Sequence, residues 1–233
     1  MWNDYFGKIR NKYGMSISSK NPLVFDLDGK DVTKDETISL LSYNSENDFL
    51  KVMERTVKYF TGRYHCLAIF GTDEVSFIFE DPVAISNELH PGGYNKGDVL
   101  LSLFSQYFFD YFNEQNQGKK IFWHGKYCSI PKGKINSFLK YKSVRFKNVL
   151  TTYLLKKNNV KDAGKIKLEE KIKLCEDIDG YDDIKEIEDG VLFYNGDRID
   201  LKDYLDGKIR VIKTIESSNI DFFDLAKWNE IEE

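Results

Sequence analysis

The stretch from Phe70 to Phe79 constrains the fold of this chain more than any other. An apolar run ending at Phe70 enters the polar tip Gly71-Thr72-Asp73-Glu74, and a second apolar run begins at Val75. Two short β-prone runs separated by a few turn-forming residues predict a β-hairpin. The two adjacent carboxylates at the tip repel each other and attract a cation. Because aspartate is also a common turn former, the hairpin alone does not establish a cation site.

A second acidic segment precedes the hairpin by about 45 residues. The apolar run from Pro22 to Leu27 predicts a strand, and Asp28-Gly29-Lys30 follows at its carboxyl end. If this strand neighbours the hairpin in a sheet, Asp28 lies beside Asp73. Two carboxylates so placed are costly without a counter-ion, and Mg²⁺ prefers such oxygen ligands. We therefore expect a divalent-metal site at this edge of the sheet.

The order of the remaining elements predicts the fold class. Apolar periodicity predicts helices over residues 45–59, 99–112 and 135–157, a strand over residues 120–130, and an irregular loop over residues 80–98. We expect Gly62 to end the first helix. The order βαββαβ is typical of an α+β, ferredoxin-like palm domain, with an antiparallel sheet and helices on one face. We expect a palm-like nucleotidyltransferase domain over residues 1–160, and a smaller C-terminal lobe over residues 161–233 with a last strand at 208–215.

The net charge of −4 conceals a strong asymmetry along the chain. Residues 115–161 contain no acidic residue and twelve basic ones, namely Lys119, Lys120, Lys126, Lys132, Lys134, Lys140, Lys142, Arg145, Lys147, Lys156, Lys157 and Lys161. The rest of the chain therefore carries a charge of about −16, by subtraction. A basic segment with interleaved aromatic residues is typical of a surface that binds polyphosphate or nucleic acid. A solvated lysine face would show the same charge pattern.

The scattered cysteines and the lack of long apolar runs indicate the compartment. No apolar run approaches the roughly 20 residues that a membrane span needs, so we expect no membrane partner. Cys66, Cys128 and Cys175 are far apart and odd in number, which fits a reducing environment and a cytoplasmic protein. The three histidines are scattered too, and we expect each, including His124, to be structural.

The two acidic motifs resemble those of the tRNA(His) guanylyltransferase superfamily. Asp28-Gly29-Lys30 follows an apolar strand, and Thr72-Asp73-Glu74-Val75-Ser76-Phe77 follows about 45 positions later. The resemblance covers roughly residues 1–155. It implies a polymerase-like palm domain that adds nucleotides to RNA 5′ ends in the 3′-to-5′ direction. It also implies that Asp28, the Gly29 carbonyl and Asp73 hold two Mg²⁺ ions, with Glu74 in support.

The same resemblance implies partners and further site residues. The expected partners are a nucleoside triphosphate (GTP or ATP), an RNA such as tRNA, and further copies of the chain in a tetramer. Nucleotide contacts are expected from Lys30, Thr72, Ser76 and Lys96, and RNA contacts from Lys142, Arg145 and Asn148. Thr72 occupies the position of a family serine implicated in activating the 5′ end. The chain departs from the family pattern at Asp26, where the family has an arginine.

Two alternative functions start from the same residues. Phe25-Asp26-Leu27-Asp28-Gly29 also resembles the first motif of haloacid-dehalogenase-type phosphatases, with Asp26 as nucleophile and Asp28 as general acid. That fold is doubly wound and needs a helix after the strand at 66–70, where this chain turns directly into another strand. The basic segment alone is also compatible with a non-catalytic RNA-binding module.

Overall fold

The computed structural model describes residues 20–35, 37–90, 97–116 and 120–209. Over these residues the strands are β1 (Leu23–Gly29), β2 (Leu67–Phe70), β3 (Glu74–Phe79), β4 (Trp123–Ser129), β5 (Val191–Tyr194) and β6 (Asp197–Ile199). The helices are α1 (Phe49–Tyr64), α2 (Pro82–Leu89), α3 (Gly97–Gln115), α4 (Ile135–Lys157), α5 (Leu168–Glu176), α6 (Tyr181–Lys185) and α7 (Leu201–Leu205). None of these described helices is long and apolar enough to span a membrane.

The six strands form one antiparallel sheet in the order β4-β1-β3-β2-β5-β6. Its first four strands have the spatial order of a ferredoxin-like βαββαβ unit, so the predicted α+β palm fold is confirmed. The register sets Asp28 opposite Glu74 on one side and His124 on the other. β1, buried between β3 and β4, therefore carries its acidic end into the middle of the palm.

Helices cover both faces of the sheet, so the prediction that they share one face is wrong. On one face, Phe25 and Phe77 pack against Phe104 of α3, with ring centroids 5.4 and 4.9 Å apart. On the other face, Val24 and Ile78 belong to a second core, with the first half of α4 packed onto it. Because side chains alternate along a strand, Asp26, Asp28, Glu74 and Ser76 lie on this second face.

The C-terminal segment extends the palm sheet. β5 pairs with β2, β6 pairs with β5, and α5 packs against α4. The described part of the predicted lobe is thus continuous with the palm sheet, while the boundary after residue 160 stays a prediction. The predicted last strand falls mainly outside the described residues, and Lys208 and Ile209, which are described, are not in a strand.

Two local predictions are wrong for identifiable reasons. α1 continues past Gly62 to Tyr64, because one interior glycine costs a helix only about 1 kcal/mol and the buried side chains of Phe60 and Tyr64 flank it. The segment predicted as an irregular loop contains α2. The Asp81 carboxylate accepts hydrogen bonds from the Val83 and Ala84 amides, and Pro82 fits the first helical turn.

Candidate active site

The two acidic motifs meet where β1 ends beside the turn between β2 and β3. The Gly29 amide donates a hydrogen bond to the Asp73 carbonyl, with an N to O distance of 2.7 Å. A Cβ at Gly29 would lie 2.8 Å from Val32 Cγ2 and 3.4 Å from the Asp73 Cβ. Glycine at this position avoids the clash that a Cβ would make with Val32 and leaves Asp73 at ordinary contact distance. Asp28, next to Gly29, is thereby held beside Asp73.

The surroundings of the two aspartates raise the pKa of both carboxyl groups. Asp73 is buried, and burial together with the negative charge of Asp28 raises the pKa of Asp73 to about 6. Burial and then the charge of Glu74 raise the pKa of Asp28, although the cations Arg145 and Lys126 oppose this. Each ionised carboxylate therefore destabilises the other in the absence of a cation.

The carboxylates of Asp28 and Asp73 fit a magnesium ion that completes its coordination with water and substrate. They do not fit a metal whose ligands all come from protein side chains. Among the described residues, no group of three or more His, Cys, Asp or Glu side chains could hold a metal ion. Mg²⁺ is commonly bound through one or two carboxylates, with water and substrate phosphates completing its coordination. Asp28 and Asp73 would supply those two carboxylates, and a bound cation would relieve their mutual repulsion.

A buried ion-pair network lies next to the aspartate pair. Lys142 of α4 places its Nζ 2.6 Å from Glu74 Oε1 and 2.7 Å from Asp26 Oδ1. Arg145 Nε lies 2.7 Å from Glu74 Oε2, and the Ser76 hydroxyl donates to Asp26. Burial opposes the charge on Lys142, but Asp26 and Glu74 outweigh it and raise the pKa of that lysine. Both Glu74 oxygens are engaged by cations, so this residue anchors α4 to the hairpin.

Comparison with solved structures identifies the architecture. A bacterial tRNA(His) guanylyltransferase (Thg1)-like protein in complex with ATP aligns at a TM-score of 0.56 and 13% identity, over 82% of this chain and 84% of that one. Such a protein in complex with GTP aligns at a TM-score of 0.53 and 12% identity, over 82% and 83%. The chain has the tRNA(His) guanylyltransferase-like fold. No protein-family model matches the sequence, and no curated protein matches it.

Within the guanylyltransferase-like fold, two residues predicted to contact ligands are buried. Lys142 is fully buried between its two carboxylates, so it offers no surface to an RNA. Ser76 is fully buried on the sheet and bonded to Asp26, so it is not exposed to a nucleotide. We correct the assignment of Lys142 to RNA binding and of Ser76 to nucleotide binding: both side chains are buried under the site, where they bond to its acidic residues.

The other residues predicted to contact the nucleotide or the RNA differ in exposure and position. Arg145 keeps a side-chain exposure of 44% while bonded to Glu74, which leaves part of its guanidinium at the rim of the site. Thr72 is buried next to Asp73 and partly offsets the rise in the pKa of the Asp73 carboxyl group. Lys30 is exposed just after β1, and Asn148 lines a cleft on α4. Lys96 lies outside the described residues.

Two exposed residues beside the aspartates were missed as site candidates. His124 and Lys126 of β4 pair with Asp28 and Asp26, so they lie on the same face of the sheet. The charge of Lys126 lowers the pKa of Asp28, as expected for a cation on the same face of the sheet. Strand alternation, combined with the predicted sheet order, could have found this pair.

The phosphatase hypothesis is wrong at both the fold and the nucleophile. A haloacid-dehalogenase-type site needs a doubly wound parallel sheet, whereas every strand pair described here is antiparallel. The proposed nucleophile, Asp26, is buried and engaged by Lys142 and Ser76. A buried carboxylate that is already bonded to a lysine and a serine is not available to attack a phosphate ester.

Proposed function

We propose that this chain is a Mg²⁺-dependent nucleotidyltransferase that adds nucleotides to RNA 5′ ends in the 3′-to-5′ direction. The observation that carries the proposal is the Asp28–Asp73 pair, held together where β1 ends beside the β2–β3 turn, which fits a divalent cation. Solved proteins of the same fold are in complex with ATP and GTP, which supports a nucleoside triphosphate as one substrate. The chain's acid-free basic segment supports RNA, with tRNA as the first candidate, as the other.

The proposed chemistry assigns a task to each group around the pair. Two Mg²⁺ ions bound at the carboxylates would align the attacking oxygen with the triphosphate and stabilise the charge that develops on both oxygens. Asp28 and Asp73 would hold the cations in their ionised forms, and Thr72, which partly offsets the rise in the pKa of Asp73, would favour the ionised carboxylate. The exposed part of Arg145 and the Lys126 ammonium supply positive charge for phosphate oxygens.

The decisive assay measures nucleotide addition and phosphate release in the same reaction. The protein is incubated with Mg²⁺, labelled ATP or GTP and a tRNA that lacks its 5′ nucleotide. We expect a 5′-extended product, which a non-catalytic RNA-binding module would not make.

Variants of the two acids test the site assignment in this assay. Asp28→Ala and Asp73→Ala are each expected to abolish extension, because one carboxylate alone holds the cation poorly. The matched control is Asp182→Ala, since Asp182 is 95% exposed on α6. Full extension by either site variant would refute the metal assignment.

A further inference from the structure

A cationic cleft lies beside the candidate active site, between the segment that follows β1 and the second half of α4. Its volume is about 940 Å³. Among the described residues that line it are four lysines, Lys34, Lys156, Lys157 and Lys171, against one acid, Asp35. Because Lys34 is ion-paired with Asp31 at 2.7 Å, the positive charge available to an anion comes from Lys156, Lys157 and Lys171.

Lys171 is the unusual member of this set because its charge is buried without a carboxylate. Only 1% of the residue is exposed, and its Nζ donates to Asn148 Oδ1 at 2.8 Å and to Thr152 Oγ1 at 2.7 Å. Both partners are neutral, and no described carboxylate forms an ion pair with it. A buried ammonium without a counter-charge costs free energy, and its three N–H groups leave one for a ligand.

Burial and the neighbouring Lys156 both lower the pKa of Lys171, as expected for a cation that lacks its anion. An anion bound in the cleft would offset this cost. A purely structural role does not explain a lysine here, because a neutral side chain could fill the same space without the cost of desolvating a charge.

One side of α4 connects the cleft to the candidate active site. Arg145, Asn148, Thr152 and Lys156 follow each other at spacings of three and four residues, so they lie along the same face of the helix. Arg145 bonds to Glu74 beside the aspartates, and the other three line the cleft. At 1.5 Å per residue, the distance along the helix from Arg145 to Lys156 is about 16 Å.

We propose that this cleft binds phosphate groups of the RNA backbone, with Lys171 as the buried contact and Lys156 and Lys157 at the entrance. The RNA as ligand rests on the proposed function, whereas the anion site rests on the cleft itself. A nucleoside triphosphate is the other source of phosphate. A triphosphate carries only three phosphates in a short run, whereas RNA carries one phosphate per nucleotide, so an RNA strand can contact Lys171 in the cleft and Arg145 beside the aspartates at the same time.

The experiment compares RNA and ATP binding in variants of the cleft. Lys171→Met removes the buried charge and keeps most of the stem, and Lys173→Met is the matched control on the exposed side of α5. RNA affinity is measured by fluorescence anisotropy at several salt concentrations, and ATP affinity by calorimetry. We expect Lys171→Met to weaken RNA binding about tenfold, as for the loss of a hydrogen bond to a charged group. The salt slope should fall by about 0.7 for each lost phosphate contact, with ATP affinity unchanged.

A double variant guards against a folding defect in Lys171→Met. Lys156→Gln combined with Lys157→Gln alters two exposed side chains, and thermal melting verifies that each variant is folded. We expect the double variant to weaken RNA binding and lower the salt slope as well. RNA binding equal to wild type in both variants would overturn the inference, as would loss of ATP affinity alone or no RNA binding by the wild type.

The outcomes also separate this inference from the proposed function. If the wild type binds RNA through the cleft lysines but adds no nucleotide, the inference holds and the nucleotidyltransferase proposal fails. If the wild type extends RNA while the folded cleft variants bind it normally, the cleft assignment fails and the enzyme proposal stands.

Discussion

Replacing Asp73 by asparagine should stabilise the metal-free protein while it abolishes nucleotide addition. In the folded chain, burial and the charge of Asp28 raise the pKa of Asp73 to about 6 from the usual 3.8. The folded state therefore binds the proton more tightly than the unfolded state does. Ionisation of this carboxyl group then disfavours folding, and Asp73→Asn removes that penalty while keeping a side chain of nearly the same size and shape.

The sign and the magnitude follow from proton linkage. As pH rises from about 3.8 to 6, the unfolded state loses the Asp73 proton first, so this group's contribution to stability declines and then levels off. A shift of about two pH units corresponds to about 3 kcal/mol. We therefore expect the free energy of unfolding of Asp73→Asn to be higher than that of the wild type. The difference should be under about 1 kcal/mol near pH 4 and up to about 3 kcal/mol at pH 8.

Urea denaturation in EDTA at several pH values measures this difference. Asp182→Asn is the control, because its carboxylate is almost fully exposed and its replacement should leave the pH dependence unchanged. Added Mg²⁺ should raise the stability of the wild type and not that of Asp73→Asn, since only the wild type keeps both carboxylates. An Asp73→Asn protein that is less stable than the wild type at pH 8 would refute the reasoning.

Three further predictions concern the ion-pair network, the hairpin turn and the metal. Lys142→Met should lower the free energy of unfolding by about 3–5 kcal/mol, because Asp26 and Glu74 would remain buried without their shared cation. Urea denaturation at pH 7 measures this loss, and an unchanged midpoint would contradict it. Gly71→Ala should cost about 1–3 kcal/mol, since its Cβ would lie 2.6 Å from the Phe146 ring, whereas Gly164→Ala, with open space around it, should cost far less. Removing Mg²⁺ with EDTA should lower the melting temperature of the wild type but leave that of Asp28→Ala unchanged.

Local sequence patterns were sufficient for most of the palm. The hairpin around Asp73 was evident because apolar runs flank a polar tip, and residues 135–157 were predicted as a helix with the bounds that α4 has. The strand order then followed from the rule that a βαββαβ chain places its first strand beside the third. These predictions succeed because they depend on side-chain periodicity and on turn-forming residues, which neighbours in the sequence determine.

The roles of individual charged residues could not be predicted in this way. Lys142 and Lys156 are the same residue type on the same helix, yet Lys142 is buried between two carboxylates and Lys156 lines an open cleft. Lys171 gave no sequence signal, since it lies among other lysines and glutamates. Gly62 was predicted to end α1 because glycine commonly ends helices, but the helix continues for two more residues to Tyr64.

The sequence by itself determined the palm topology, the position of an acidic residue at the end of β1, and another in the turn after β2. Periodicity and turn chemistry are local, so they can be recognised without coordinates. Only the tertiary structure decided which charges neutralise each other. In it, Glu74 forms ion pairs with Lys142 and Arg145, whereas Asp28 and Asp73 repel each other. Lys171 is buried with neutral partners and no carboxylate. Coulombic partners and desolvation depend on which distant segments pack together, and no local pattern contains that information.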